Sequence, residues 1–217
     1  FVTVGLGLAA AALWYGLRPQ VEGGMADRLR PLGFEDPAVT LLPGFDGSLT
    51  FTIRNGDKPV VTALIDVPAS TGNVLQIPSL VVYGENWPAS SQQPVTNRER
   101  MAALWLALQT PLVSEIGNYR QIEVGDLRLT LPGASGFSGQ ASARWIEQTA
   151  LWQIKASGTL QVFGASAPLG LDGSLTEEGA LKLSGSCENL SISVPAGRIA
   201  GLSATFALEA GQASPMA

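Results

Sequence analysis

Leu127-Arg128-Leu129-Thr130-Leu131-Pro132-Gly133-Ala134-Ser135-Gly136-Phe137-Ser138-Gly139 decides the fold class. Three leucines alternate with Arg and Thr, the period of a strand with one aliphatic and one polar face. Pro132 ends ladder donation, small residues turn the chain, and alternation resumes. The same grammar recurs at Leu42-Pro43-Gly44-Phe45-Asp46-Gly47 and at Val194-Pro195-Ala196-Gly197-Arg198-Ile199-Ala200-Gly201-Leu202. The spacing between the three copies is irregular, so this is a hairpin module and not a solenoid repeat.

Working outward, period two dominates from Pro37 to the C-terminal region. Strands are predicted at 39–41, 49–53, 60–67, 74–83, 122–124, 127–131, 139–145, 151–163, 169–175, 180–184, 190–194 and 201–208. A break is expected at Gly158. Turns are predicted at Asn55-Gly56-Asp57, Pro132-Gly133, Asp172-Gly173, Glu178-Gly179 and Ala196-Gly197. Pro78 lies inside one strand and demands an edge position or a bulge. Gly84 to Pro94 reads as a loop.

The strand faces are unequal. Leu127, Leu129 and Leu131 share one; Leu181 and Leu183 oppose Lys182 and Ser184; Leu190, Ile192 and Val194 oppose Ser191 and Ser193. These eight aliphatic residues are the candidate lining of an apolar surface. Alternation alone leaves two arrangements open. A sandwich or barrel would bury this face as a closed core, whereas an open curved sheet would offer it to acyl chains. Acyl chains require only continuous aliphatic surface, at about 0.8 kcal/mol per CH₂ removed from water, and no polar constellation.

Two segments depart from the strand pattern. Thr96 and Glu99 have capping-box spacing, and Met101, Leu104, Trp105 and Leu108 follow as an apolar helical stripe, giving a helix near 97–110. Residues 1–17, FVTVGLGLAAAALWYGL, carry no charge before Arg18. Seventeen helical residues span about 25 Å, slightly less than a hydrocarbon core of about 30 Å. The chain begins with Phe, so the span is expected to continue upstream. Val2, Leu6, Leu8, Leu13, Trp14, Tyr15 and Leu17 are the candidate anchor residues, with the aromatics placed where an interfacial belt belongs. A cleaved signal peptide and a buried core helix are the alternatives for this stretch, but aromatics and Arg18 follow the apolar run where a cleavage site would belong. The domain reading is therefore an anchor at 1–18, a short helical connector at 19–34 ending at Gly33, and a β-rich domain at 35–217.

Composition narrows the function classes. The 217 residues include no His and one Cys. That removes a Ser-His-Asp triad, a Cys-His dyad, a His-bearing zinc site and an internal disulfide. A net charge of −5 argues against a nucleic-acid partner. Charged residues make up 14%, against about 25% in an ordinary domain. The acids at Asp46, Asp57, Asp66, Asp172 and Glu177-Glu178 read as solvated turn residues, and Cys187 as a small packing residue. No cofactor or metal is implied, and an enzyme is not expected.

Anchor, short helix ending in Leu32-Gly33-Phe34, and hairpins of alternating small and aliphatic residues together resemble the AsmA-like superfamily of bacterial envelope proteins, which includes the YdbH and TamB types. The most similar stretches are 190–203, 127–139 and 14–34. The resemblance implies anchoring in the inner membrane by one N-terminal helix, with the bulk of the chain in the periplasm. It also implies a taco-like apolar β-groove that moves phospholipid toward the outer membrane. The expected fold is thus mainly β, an antiparallel, curved open sheet or groove with an N-terminal transmembrane helix and one additional helix. The expected partners are phospholipid or another acyl lipid, the inner membrane, and other envelope proteins. Members of this superfamily are usually much longer than this chain. Type II secretion protein N is similar in outline, which keeps open a second expectation: an anchored assembly factor acting through protein–protein contacts.

Overall fold

The computed structural model describes residues 18–20, 22–27, 29–30, 33–88, 119–131, 135–162, 165–176, 180–194 and 197–210. The anchor expected over residues 1–18, apart from Arg18, and the helix expected near 97–110 lie outside the described residues. Among the described residues no helix is long and apolar enough to cross a membrane.

Ten strands form one mixed, mostly antiparallel open sheet in which each strand neighbours the next in sequence. They are β1 (Pro37–Pro43), β2 (Ser48–Asn55), β3 (Lys58–Asp66), β4 (Val74–Tyr83), β5 (Gln121–Leu131), β6 (Ser135–Ile146), β7 (Leu151–Val162), β8 (Ala165–Thr176), β9 (Leu181–Val194) and β10 (Gly197–Ala210). The polar turns at 44–47 and 56–57 form as expected. Gly47 and Gly56 take φ of +83° and +61°, a region that costs a residue with a Cβ.

The sheet is not wholly antiparallel. β4 and β5 run parallel, with Leu80 opposite Leu127 and Val82 opposite Leu129. A parallel pair needs a long crossover, and residues 84–120 supply it. This long connection separates the sheet into an N-terminal part of four strands and a C-terminal part of six.

Four sequence expectations are corrected. Residues 122–124 and 127–131 are one strand, as are 180–184 and 190–194. In each, the apolar parity changes from one half to the other, and a sequence reader sees two strands. The backbone instead bulges. Val124 pairs with Ala141 and Leu127 with Gly139, so one extra residue is taken up at Gly125-Asp126. A bulge returns the apolar positions to the same face without ending the ladder. Gly158 does not break β7; it pairs with Gly139 inside a continuous strand. Asp172-Gly173 is not a turn either. Both residues sit within β8, opposite Ser184 and Leu183 of β9, because flanking apolar residues on each side keep the ladder running.

Pro78 resolves by the bulge and not by an edge. β4 is flanked on both sides, and its register against β3 slips between Leu64–Ser79 and Asp66–Gln76. The adjacent strand bulges at the same level, so the parallel register from Ile77–Val124 to Ser79–Asp126 is undisturbed.

A short helix, α1, spans residues 18–20 and 22–27. The Gly33 N–H donates to the Arg30 carbonyl at 3.1 Å, and Gly33 takes φ +89°, which turns the chain into β1. Met25, Ala26, Leu29 and Phe34 are buried against Val39, Leu41, Phe51 and Ile53. Phe34 meets Trp87 edge to face at 6.1 Å between centroids. α1 also blunts the sheet edge, since Glu22 accepts a 2.7 Å hydrogen bond from the Leu41 N–H on the outer side of β1.

Candidate functional site

The strands bring one set of side chains onto a single surface. Cross-strand register links Leu41, Phe51, Ala63, Leu80, Leu127, Gly139, Gly158, Leu169, Cys187 and Ala204 in one row through all ten strands. Every member is apolar or glycine. A parallel row runs Val39, Ile53, Val61, Val82, Leu129, Phe137, Leu160 and Ala167. Directly opposed residues share a face, so these rows define one apolar surface. With neighbouring strands about 4.8 Å apart, the surface is roughly 40–45 Å wide.

The other surface is different. Its register row runs Thr40, Thr52, Thr62, Val81, Arg128, Ser138, Thr159 and Pro168. The charges inside the strands also lie there. Arg128 pairs with Asp126 at 2.9 Å and Lys155 with Asp172 at 3.9 Å, both well exposed. Glu123 accepts from Gln76 at 2.8 Å and from Gln121 at 2.7 Å. Asp46 lies in the β1–β2 turn and accepts from the Ser48 hydroxyl at 2.6 Å and its N–H at 3.0 Å. Those bonds hold its carboxyl below the usual value. Among the described residues no group of three or more His, Cys, Asp or Glu side chains could hold a metal ion.

The apolar surface is covered unevenly. Over β1–β3, α1 and Phe34 bury it: Ile53 and Val60 are fully buried and Leu41 nearly so. Farther along, Phe137, Ala167, Leu169 and Cys187 form a second buried cluster, with Leu127, Leu129, Ala156, Leu160 and Leu171 half-buried around it. Toward the start of β7 and the end of β8, Trp152, Ile154 and Leu183 are also half-buried.

The candidate residues from the sequence fall as follows. Leu127 and Leu129 lie in the two rows above and belong to the second cluster's rim. Leu183 stands opposite Gly173, close enough that a Cβ on that glycine would collide with it. Leu181 registers with Leu175 and Ala210, Leu190 with Leu202, Ile192 with Ile199, Val194 with Gly197, and Leu131 with Ser135. The anchor candidates Val2, Leu6, Leu8, Leu13, Trp14, Tyr15 and Leu17 lie outside the described residues. Sequence reasoning passed over Leu160, Leu169, Leu171 and the Trp145–Trp152 pair as surface-forming residues. Their signal was the same alternation, obscured where Gly interrupts the aliphatic series.

Glycines occupy this face in a pattern. Leu127 faces Gly139, Leu169 faces Gly158, Leu171 faces Gly185, and Leu183 faces Gly173. A large side chain therefore stands beside an empty position on the neighbouring strand. Comparison of the chain with protein-family models, with curated proteins and with solved structures finds no match.

Proposed function

We propose that this chain is an inner-membrane-anchored envelope protein whose apolar β-surface binds acyl chains and carries phospholipid between membranes, with its bulk in the periplasm. The observation that carries the reading is the unbroken apolar row from Leu41 to Ala204, set back to back with a polar face. Four of the nine strand pairings carry a bulge or register shift. A surface kept continuous across so many local irregularities suits a ligand with no directional groups, and aliphatic chains are such a ligand.

The Gly139–Gly158 pair supports a groove and not a flat sheet. Their backbones approach within the space a Cβ would occupy, and a facing pair of glycines leaves room for a sheet to curve toward that face. The half-buried Leu127, Leu129, Leu160 and Leu171 then form the groove wall.

Photo-crosslinking tests this reading. Benzoylphenylalanine at Leu171 in the full chain, illuminated in native membranes, is expected to capture acyl lipid. The same probe at Thr159 on the opposite face is expected to capture none. Equal lipid labelling at the two positions, or none at Leu171, defeats the reading.

A second reading rests on β10. Its outer edge has no neighbouring strand among the described residues, over 14 residues of strand. A long open edge is a template for strand addition, which suits an anchored assembly factor. Capture of protein in place of lipid from the same illuminated membranes favours it.

A further inference from the structure

The β1–β2 and β3–β4 turns lie side by side on one rim of the sheet. Ser48 registers with Asp66 and Leu49 with Ile65, which sets Gly47 beside Val67. The approach is close: a Cβ on Gly47 would lie 2.8 Å from the Pro68 ring. Among residues whose side chains are described, the exposed large hydrophobics are Leu42, Phe45 and Val67, and all of them belong to this corner. Phe45 is fully exposed at the hairpin tip, and Pro43 and Pro68 are exposed as well. Other turns differ. Asn55-Gly56-Asp57-Lys58 at the opposite rim is polar, as is Glu147-Gln148-Thr149-Ala150 farther along the same rim.

A single exposed apolar residue is ordinary, but a cluster confined to one corner marks a contact. The hydrogen bonds of the two turns indicate which kind. In the first, the Gly44 N–H donates to the Ser48 carbonyl at 2.8 Å and the Gly47 N–H to the Gly44 carbonyl at 3.2 Å. The Ser48 N–H donates to the Asp46 carboxylate at 3.0 Å. In the second, the Ala69 N–H donates to the Asp66 carboxylate at 2.9 Å. The Ser70 N–H donates to the Asp66 carbonyl at 3.0 Å and the Val74 N–H to the Thr71 carbonyl at 3.2 Å. Both acids are thus engaged inside their own turns. A protein partner is ordinarily met by free donors and acceptors around an apolar centre. A segment that leaves water for lipid needs its backbone groups satisfied internally. This corner has the second character.

Charge narrows the surface further. Neither turn contains Lys or Arg, and Arg18 at the start of α1 is already paired with Glu22 at 2.7 Å. With a net charge of −5 on the chain, an anionic surface is disfavoured. Asp46 adjoins Phe45, so the contact is shallow: the ring enters the boundary while the carboxylate stays among the head groups.

We propose that this corner is a membrane-contact site, at which Phe45, together with Leu42 and Val67, enters the head-group boundary of a zwitterionic lipid surface. The inference goes beyond the acyl-binding reading and stands without it, since Leu42 lies on the polar face of β1 and Phe45 and Val67 lie in turns.

The test uses the full chain carrying the environment-sensitive dye NBD on Ala69→Cys, in the second turn, or on Gln148→Cys, in the polar turn of the same rim. The native Cys187 is buried. In phosphatidylcholine vesicles with spin-labelled lipid, the dye at 69 is expected to shift to the blue and to be quenched, and the dye at 148 to behave as in water. Phe45→Ser should reduce the signal at 69 to the level at 148, and Phe45→Trp should preserve it. Because Phe45 is fully exposed, both variants should keep the parent's unfolding midpoint. Equal quenching at the two positions, or none at either, overturns the proposal. So does quenching at 69 that ignores Phe45→Ser, or that appears only when phosphatidylglycerol is added. Benzoylphenylalanine at position 45, illuminated in native membranes, is expected to capture lipid; capture of a protein in its place assigns the corner to a protein partner and overturns the lipid assignment. Labelling at Leu171 reports separately on the acyl reading, so failure of either leaves the other to its own result.

Discussion

Gly139 and Gly158 face each other across β6 and β7 with no room for a side chain between their backbones. A Cβ on Gly139 would lie 2.6 Å from Gly158 Cα, and one on Gly158 would lie 2.7 Å from Gly139 Cα and 2.8 Å from the tip of the Phe137 ring. Backbone atoms cannot move aside as a flexible side chain can. Gly158→Val is therefore expected to destabilise the chain by about 3 kcal/mol, an overpacking penalty at the upper part of its usual range. Gly170→Val in β8, where a Cβ meets nothing within 4 Å, is expected to be near neutral. Urea unfolding of the two variants in the same detergent checks the contrast, and equal midpoints would contradict it.

Glu22 ties α1 to the sheet edge. Its carboxylate accepts both from the Leu41 N–H and from Arg18, each at 2.7 Å, at a site where the Glu22 side chain is 19% exposed. Glu22→Ala leaves the Leu41 N–H without that acceptor and is expected to cost about 1–2 kcal/mol. Hydrogen exchange gives the local readout: Leu41 should lose protection more than Phe51, its partner on β2. Uniform loss across β1 and β2 would mean that α1 is not held at this point.

Leu183 and Leu169 separate a ligand surface from a core. Leu169 is 6% exposed inside the second cluster, whereas Leu183 is half-buried. Leu169→Asp buries an unpaired charge and is expected to destabilise by several kcal/mol. Leu183→Asp lets its carboxylate reach water, so a loss of about 1 kcal/mol or less is expected, with strongly reduced lipid capture at Leu171. Thermal unfolding beside crosslinking distinguishes the two effects. If both variants fail to fold, the face around Leu183 is core.

Asp46 provides a pH signature in the β1–β2 turn. The Ser48 hydroxyl and N–H hold its carboxyl below 3.8. With a depressed folded-state value, the turn's stabilisation is complete above the ordinary carboxylate value. It is lost as pH falls through the lowered one. Carboxyl-carbon NMR should show Asp46 titrating below 3.8, and Ser48→Ala should move it back toward that value. A titration unmoved by Ser48→Ala would assign the shift to another group.

The sequence by itself determined the strand period, the sharp turns around Phe45-Asp46-Gly47 and Asn55-Gly56-Asp57, and the aliphatic character of Leu127, Leu129 and Leu183. These are local properties: side-chain alternation and turn chemistry are decided within a few residues. It also named Pro78 as a bulge or edge, because a missing N–H is visible without any partner. It did not determine that residues 122–124 and 127–131 are one strand. A change of parity means a strand end or a bulge, and only the partner strand, here Ala141 and Gly139 of β6, decides which.

Only the tertiary structure decided the parallel pairing of β4 with β5, which depends on where a long connection returns the chain. Only it could join Leu41 to Ala204 in one row, since register is a relation between distant segments.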